Sequence, residues 1–286
     1  MDHTTIEALA RTANDIRIGI LDGVYNAGCG HPGGSLSIAD LLTYLYFKEM
    51  RIDPENPKWE DRDRFVLSKG HTAPALYATL AERGYFPREE LVTLRRFDSR
   101  LQGHPDMKGI PGVDMSTGSL GLGISAACGM ALAAKVKGKD YRVYSIVGDG
   151  ESEEGQVWEA AMFAAHYKLD NLCLIVDWNG LQIDGKVTDI MNPTPHNLKF
   201  SAFGWNVISI DAHSFSEIEA AFAAARLEKG RPTVIIAKSV KGKGVSYMEN
   251  KAEWHGAAPK EEQYRIGLAD LGVSAEDIER RFADNG

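Results

Sequence analysis

Two short glycine-flanked segments carry oxygen ligands at a telling spacing. Gly148-Asp149-Gly150-Glu151 follows one apolar run, and Asp177-Trp178-Asn179-Gly180-Leu181 follows the next. Asp149 and Asn179 are 30 residues apart, about one β-α-β crossover, which puts both side chains at the same edge of a parallel sheet. A carboxylate, an amide oxygen and nearby backbone carbonyls are hard ligands, suited to Mg²⁺ or Ca²⁺ rather than Zn²⁺. With one carboxylate the set is incomplete, and Mg²⁺ commonly completes its shell with phosphate oxygens and water. The competing structural reading makes Gly148-Asp149-Gly150 a tight strand-to-helix turn with Asp149 as a cap.

Three further signals accompany that pair. His31, His71, His104 and His255 each adjoin glycine in loop-like sequence, whereas His3, His166, His196 and His213 do not. Imidazoles in such settings suit proton transfer and phosphate contact, or are hydrogen-bonded structural residues. Lys241-Gly242-Lys243-Gly244 follows another apolar run and offers ammonium groups to an anion, unless it is a solvated basic loop. Gly118-Ser119-Leu120-Gly121-Leu122-Gly123 runs into a helix rich in small residues, and a helix start can bind phosphate. Gly121-x-Gly123-x-x-Ala126 formally matches a dinucleotide fingerprint, but no convincing strand precedes it and no acidic residue closes a second strand. No nucleophile elbow, P-loop, HExxH or CxxC is present.

The elements that must position these residues alternate. Strand signals are Tyr141–Val147, Leu172–Val176, Asn206–Ile210 and Thr233–Ala237, with Phe65–Leu67 weaker; they are nearly continuous apolar runs, as in strands covered on both faces. Helix signals cover 4–27, opened by a Thr4-x-x-Glu7 capping box, then about 37–50, 73–84, 88–97, 121–137, 153–167, 216–229 and 274–282. The expected fold is α/β, a doubly wound, mostly parallel sheet with helices on both faces, whose ligands bind beyond the carboxyl ends of the strands.

Composition narrows the partners. The chain has 286 residues, enough for one large or two small domains, and a net charge of −8 with no long Lys/Arg run. That argues against nucleic acid or an anionic membrane surface as the main partner. No stretch approaches a membrane span, and three cysteines without metal-like spacing suit a reducing, cytoplasmic setting.

Six segments in order, CGHPGGSLSIADLL (29–42), DRDRFVLSKGHTAPALYATL (61–80), 103–135, VGDGESEEGQVWEA (147–160), DWNGLQIDG (177–185) and AKSVKGKGVSYMENKAEWHG (237–256), resemble the N-terminal, thiamine-diphosphate-binding section of transketolase. The resemblance implies that Asp149, Asn179 and the Leu181 carbonyl hold a divalent cation, Mg²⁺ or Ca²⁺/Mn²⁺. It places Gly118, Ser119 and Leu120 alongside the cofactor, Gly150 on its diphosphate and His71 as a cofactor-binding histidine. His31, His104 and His255 match histidines lining the substrate channel, with His255 and Lys241 near the diphosphate. Glu154 matches an acidic residue in the network joining the family's two active sites.

Trp178 and the glycines Gly33 and Gly34 depart from the usual pattern. The family's second domain, which supplies the glutamate for the aminopyrimidine, does not follow before residue 286. The resemblance therefore implies a diphosphate-binding domain over 1–256 and a helical extension over 257–286, packed on it or reaching a partner. It implies a separately encoded transketolase C-terminal subunit, an α₂β₂ assembly, and sugar phosphate substrates. Rival readings are a 2-oxo-acid dehydrogenase α-subunit, a deoxyxylulose-phosphate-synthase-like fragment, a nucleotide-dependent oxidoreductase and an inert binding subunit.

Overall fold

The computed structural model describes residues 1–283; residues 284–286, the end of the expected 257–286 extension, lie outside the described residues. The chain opens with α1 (His3–Ala27), α2 (Pro32–Leu36) and α3 (Ala39–Tyr44), which continues as a π turn to Glu49. Then come β1 (Arg64–Leu67), α4 (Ala73–Arg83), α5 (Leu122–Val136), β2 (Val143–Gly148), α6 (Gly155–His166) and β3 (Leu172–Trp178). A small hairpin, β4 (Leu181–Gln182) and β5 (Gly185–Lys186), leads to α7 (Val187–Ile190) and α8 (His196–Ala202). The remaining elements are β6 (Asn206–Asp211), α9 (Phe215–Leu227), β7 (Thr233–Lys238), α10 (Glu261–Asp270) and α11 (Ala275–Ala283).

Five strands form one parallel sheet in the order β1-β2-β3-β7-β6. All five expected strands are present, and the period of two sorts their side chains onto two cores. Phe65, Tyr144, Ile146, Cys173, Ile175 and Ile235 face a core shared with α1, α3, α4 and α9. Val66, Val143, Val147, Leu174, Val176 and Ile236 face the other, shared with α5, α6 and Phe200 of α8. Both faces are covered, which accounts for the continuous apolar runs. At 257–283, α10 and α11 lie against α1: Tyr264 stacks on Tyr25 at 4.1 Å, and the Tyr264 hydroxyl donates to Asp22 at 2.5 Å.

Two local expectations need correction. The first helix is capped by Asp2, whose carboxylate accepts from the Thr5 N–H at 2.7 Å; Thr4 already lies inside the helix. Residues Arg88–Thr93 form a 3₁₀ helix, not the α-helix expected over 88–97. The helix rich in small residues is tightly packed on one face only. A Cβ at Gly123 would meet the Ser68 Cα at 2.6 Å, whereas one at Gly129 would meet nothing within 4 Å.

That contrast sets a test of the packing. Gly123→Val must push α5 off the end of β1 and is expected to cost about 1–3 kcal/mol. Gly129→Ala removes a helix glycine into open space and is expected to stabilise by up to about 1 kcal/mol. Urea unfolding midpoints decide both; equal midpoints for the two variants would contradict the close approach.

Candidate active site

The carboxyl ends of β2, β3 and β7, with the loop after β1, converge on one cavity of about 390 Å³. Because β2 pairs with β3, with Gly148 beside Asp177, Asp149 and Asn179 share one edge of the sheet as their spacing predicts. The Asp149 carboxylate accepts from the backbone N–H groups of Gly150 at 2.8 Å and Gly180 at 2.5 Å. The Asn179 amide donates to Asp177 at 2.9 Å, and its oxygen accepts from the Leu181 N–H at 3.1 Å. The Leu181 carbonyl accepts from the Lys241 ammonium at 3.0 Å.

Three imidazoles gather across the cavity. The ring centroids of His31, His71 and His255 are 5.1 Å (His31–His71), 5.5 Å (His31–His255) and 5.2 Å (His71–His255) apart. Burial, then the nearby cations and each other, lowers their pKa values to about 4 for His31, about 2 for His71 and about 3 for His255. All three are therefore neutral at pH 7. The Lys241 ammonium lies 2.8 Å from His255 Nδ1, so the lysine donates and the proton of the His255 ring sits on Nε2. Burial and the neighbouring Lys69 lower Lys241 itself to about 8.

The chain belongs throughout to one family. The description "Transketolase, thiamine diphosphate binding domain" matches residues 8–280. This is a transketolase-family chain. It is 49% identical over 263 residues to a protein of Clostridium sp. (strain MSTE9) named as a 6-deoxy-6-sulfo-D-fructose transketolase subunit, covering 92% of this chain and 96% of that one. A Phocaeicola vulgatus protein named as a subunit of apulose-4-phosphate transketolase is 42% identical, over 96% of this chain and 98% of that one. Human transketolase is 45% identical over 89% of this chain, which spans only 40% of it. The transketolase structure from Campylobacter jejuni superposes with a TM-score of 0.89 at 34% identity, over 99% of this chain and 46% of that one.

Most residues singled out in this transketolase sequence line the one cavity: His31, His71, Gly118, Leu120, Asp149, Gly150, Glu154, Asn179, Leu181, Lys241 and His255. Two do not. Ser119 is exposed and opens onto a separate shallow depression beside Gly118. His104 is exposed at the rim, where a Cβ on Gly118 would meet its ring at 3.1 Å. The remaining histidines are structural or peripheral: His196 bonds Ser152 at 2.9 Å and His213 bonds Asp40 at 2.7 Å, while His3 and His166 are exposed.

The cavity fits a diphosphate cofactor on several independent grounds. Its wall includes Gly34, Gly118, Gly148 and Gly150, where backbone stands bare. His31 Nδ1 is buried without a partner among the described residues, as is the Gln182 side-chain oxygen, so a bound molecule has polar atoms to satisfy. Lys69 and Lys241 bring positive charge, and Asp149, Asn179 and Leu181 offer hard oxygens. Of the two glycines that depart from the usual pattern, Gly34 lines the cavity and Gly33 lets Lys241 pack close: a Cβ at Gly33 would sit 2.8 Å from the Trp254 carbonyl and 3.1 Å from Lys241 Cγ.

Residue typing alone missed three groups. Asp177 is 0% exposed and accepts from Lys69 at 2.6 Å, Ser37 at 2.8 Å, Asn179 at 2.9 Å and also Ser239. Lys69, 2% exposed, also donates to the Gly34 carbonyl at 2.9 Å. Glu151 takes the N–H groups of Gly121 at 2.9 Å and Gly148 at 3.0 Å and the Ser68 hydroxyl at 2.5 Å, stapling the start of α5 to the end of β2. Lys69 stands two residues from His71, and Asp177 two from Asn179, which were the available signals.

Two predictions follow from this electrostatics. Asp177→Ala strands the Lys69 ammonium and is expected to cost about 3–5 kcal/mol, part of it recovered by adding Lys69→Met, as read by unfolding free energies; additive losses would refute the coupling. The second concerns acid. The unfolded histidines titrate near 6.5, above their folded values, so between about pH 6.5 and 4 the unfolded chain binds more protons and stability falls as pH falls. Asp149, raised to about 6 by burial and by Asp177, acts with the opposite sign between 3.8 and 6. Three imidazoles outweigh one carboxyl, so the urea midpoint should be lower at pH 5 than at pH 7; an equal or higher midpoint is the contrary result.

Proposed function

We propose that this chain is the N-terminal subunit of a two-chain transketolase, transferring a two-carbon ketol unit from a ketose phosphate or related acidic ketose to an aldose. The observation that carries this is the coverage: the chain matches 96% and 98% of two relatives named as subunits, and 40% of the human enzyme. The separately made partner would bring the pyrimidine-binding and C-terminal domains, in an α₂β₂ assembly. Exposed apolar side chains support such a partner: Leu122 at the start of α5 is 52% exposed, Met162 and Phe163 on α6 are 57% and 37% exposed, and Tyr167 just after α6 is 47% exposed. Cytoplasmic carbohydrate metabolism of the pentose phosphate kind is the setting this reading implies.

Asp149, Asn179 and the Leu181 carbonyl would hold Mg²⁺, or Ca²⁺ or Mn²⁺, against the diphosphate, with Lys69, Lys241 and Gly150 beside it. Thiamine diphosphate, when bound, supplies the carbon nucleophile that adds to a ketose carbonyl. The chain's own contribution is placement of protons. His31 and His255, neutral and largely buried, can donate an N–H to an oxygen that gains charge and accept the proton that a departing aldehyde releases. His104, at the rim, reaches substrate from the open side. Their neutrality matters, since an imidazolium would have no lone pair to take a proton.

The test is reconstitution. Calorimetry should show weak or absent thiamine diphosphate binding to the chain alone and Mg²⁺-dependent binding once the partner is added. Ketol transfer at full rate by the chain alone would overturn the two-chain reading. In the reconstituted complex, His104→Ala is expected to lower kcat by about 10²–10⁴-fold with cofactor affinity changed only a few-fold; a kcat within threefold of the parent would remove His104 from proton transfer.

A further inference from the structure

We propose that His213, outside the cavity, is a positioning residue for the cofactor: through the Val240 N–H it fixes the loop that delivers the Lys241 ammonium. This rests on, and deepens, the thiamine diphosphate reading above. Lys241 has a long, flexible side chain on a loop with glycine at 242 and 244, yet it is 2% exposed. Its ammonium is held to one place, 3.0 Å from the Leu181 carbonyl and 2.8 Å from His255 Nδ1. Such an ammonium meets an anion reproducibly only where the backbone beneath it is fixed. The ladder of β7 reaches its last donor at the Ser239 N–H, which bonds the Trp178 carbonyl at 3.1 Å. The next donor, the Val240 N–H directly before Lys241, goes instead to a side chain: His213 Nε2, at 3.0 Å.

That imidazole is itself held from behind. His213 lies in the turn between β6 and α9, where its own N–H donates to the Asp211 carboxylate at 2.8 Å. Because Nε2 accepts, the ring proton sits on Nδ1, which donates to Asp40 at 2.7 Å. Asp40, 5% exposed on α3, also accepts from Arg17 of α1 at 2.5 Å. The carboxylate therefore sets both the tautomer and the plane of the ring, as second partners of imidazoles commonly do.

Arg17 closes the circuit. A Cβ at Gly244 would stand 3.2 Å from Arg17 Cδ, so the stem of the arginine packs against the far side of the Lys241 loop. On the near side the Gly242 N–H donates to the Gly33 carbonyl at 2.9 Å. Arg17, Asp40 and His213 do not line the cavity, and an Asp-His pair that ends on a peptide N–H has no group to which it could pass a proton. What the pair supplies is geometric: one acceptor, aimed at the peptide beside the lysine.

The experiment uses the reconstituted two-chain complex, titrated calorimetrically with thiamine diphosphate in the presence of Mg²⁺. His213→Asn keeps a donor near Asp40 but is too short to reach Val240, whereas His213→Gln places an amide oxygen where Nε2 accepts. His213→Asn should weaken binding by about 5–50-fold, and His213→Gln should recover most of that loss. In a Lys241→Met background, His213→Asn should change affinity by no more than about twofold, since the group it positions is gone. Losses that add in the double variant, parent affinity in His213→Asn, or a Gln variant no better than Asn would each overturn the role of His213 and leave the cofactor reading standing. Failure of His213→Asn to form the complex on sizing would make the residue structural and overturn the role equally. A parent complex that binds no thiamine diphosphate would instead overturn the cofactor reading, and this inference with it.

Discussion

The site depends on one buried carboxylate. Asp177 sits at the end of β3 with no exposure, and four side chains donate to it. These donors come from the loop after β1, the turn between α2 and α3, the end of β7 and the turn that carries Asn179, so one charge ties together the loops around the cavity. Burial opposes ionisation of Asp177, but the Lys69 ammonium and the serine hydroxyls outweigh it and hold its carboxyl below the usual range. A carboxylate so deep is tolerable only when its partners are all in place. The same requirement fixes the Asn179 amide: its NH₂ faces Asp177, which leaves the oxygen as the atom available on the other side.

That pinned charge sets the state of the rest. Asp149 is raised to about 6 by its burial and then by the charge of Asp177, so a positive charge placed beside it would favour its ionised form. Lys69 is neutralised by Asp177, while among the described residues Lys241 has the Leu181 carbonyl and His255 as direct partners. The cavity thus has positive character on the Lys241 side and a poised carboxyl opposite. An anion and a divalent cation arriving together satisfy both better than either alone. The histidines obey the same balance: burial first, and then the two lysines close by, disfavour added protons, so the imidazoles stay neutral.

Much of this was legible in the chain. The strands were readable because residues covered on both faces are apolar without interruption, and Asp149 and Asn179 because a β-α-β unit has a nearly fixed length. The oxygen ligands fall immediately after strands, where backbone must turn. Asp177 and Lys69 were not legible, because their meaning arises from contacts across 108 residues of sequence and a lysine in a loop reads as solvated. His104 reads like the other glycine-flanked histidines, yet its segment rides on α4 through Tyr77 and sets it at the rim instead of in the cluster. The cap of the first helix lies two residues earlier than expected for a local reason: Asp2 caps as well as Thr4 would.

On the two-chain reading proposed above, the arrangement also says what a partner would add to the chemistry rather than only to stability. Both faces of the sheet are already covered, so the cavity at its edge is open by construction. Leu120, 38% exposed, and Ile183, 64% exposed, line its mouth. In water, the dipoles of neutral imidazoles and the charge of Lys241 are screened, and an alkoxide would gain little from them. Covering that apolar rim would exclude water and strengthen the electrostatic interactions inside. The half of the site carried here is therefore preorganised by Asp177 and Glu151, and the step from a binding groove to a reactive one is a change of dielectric that a second protein surface can supply.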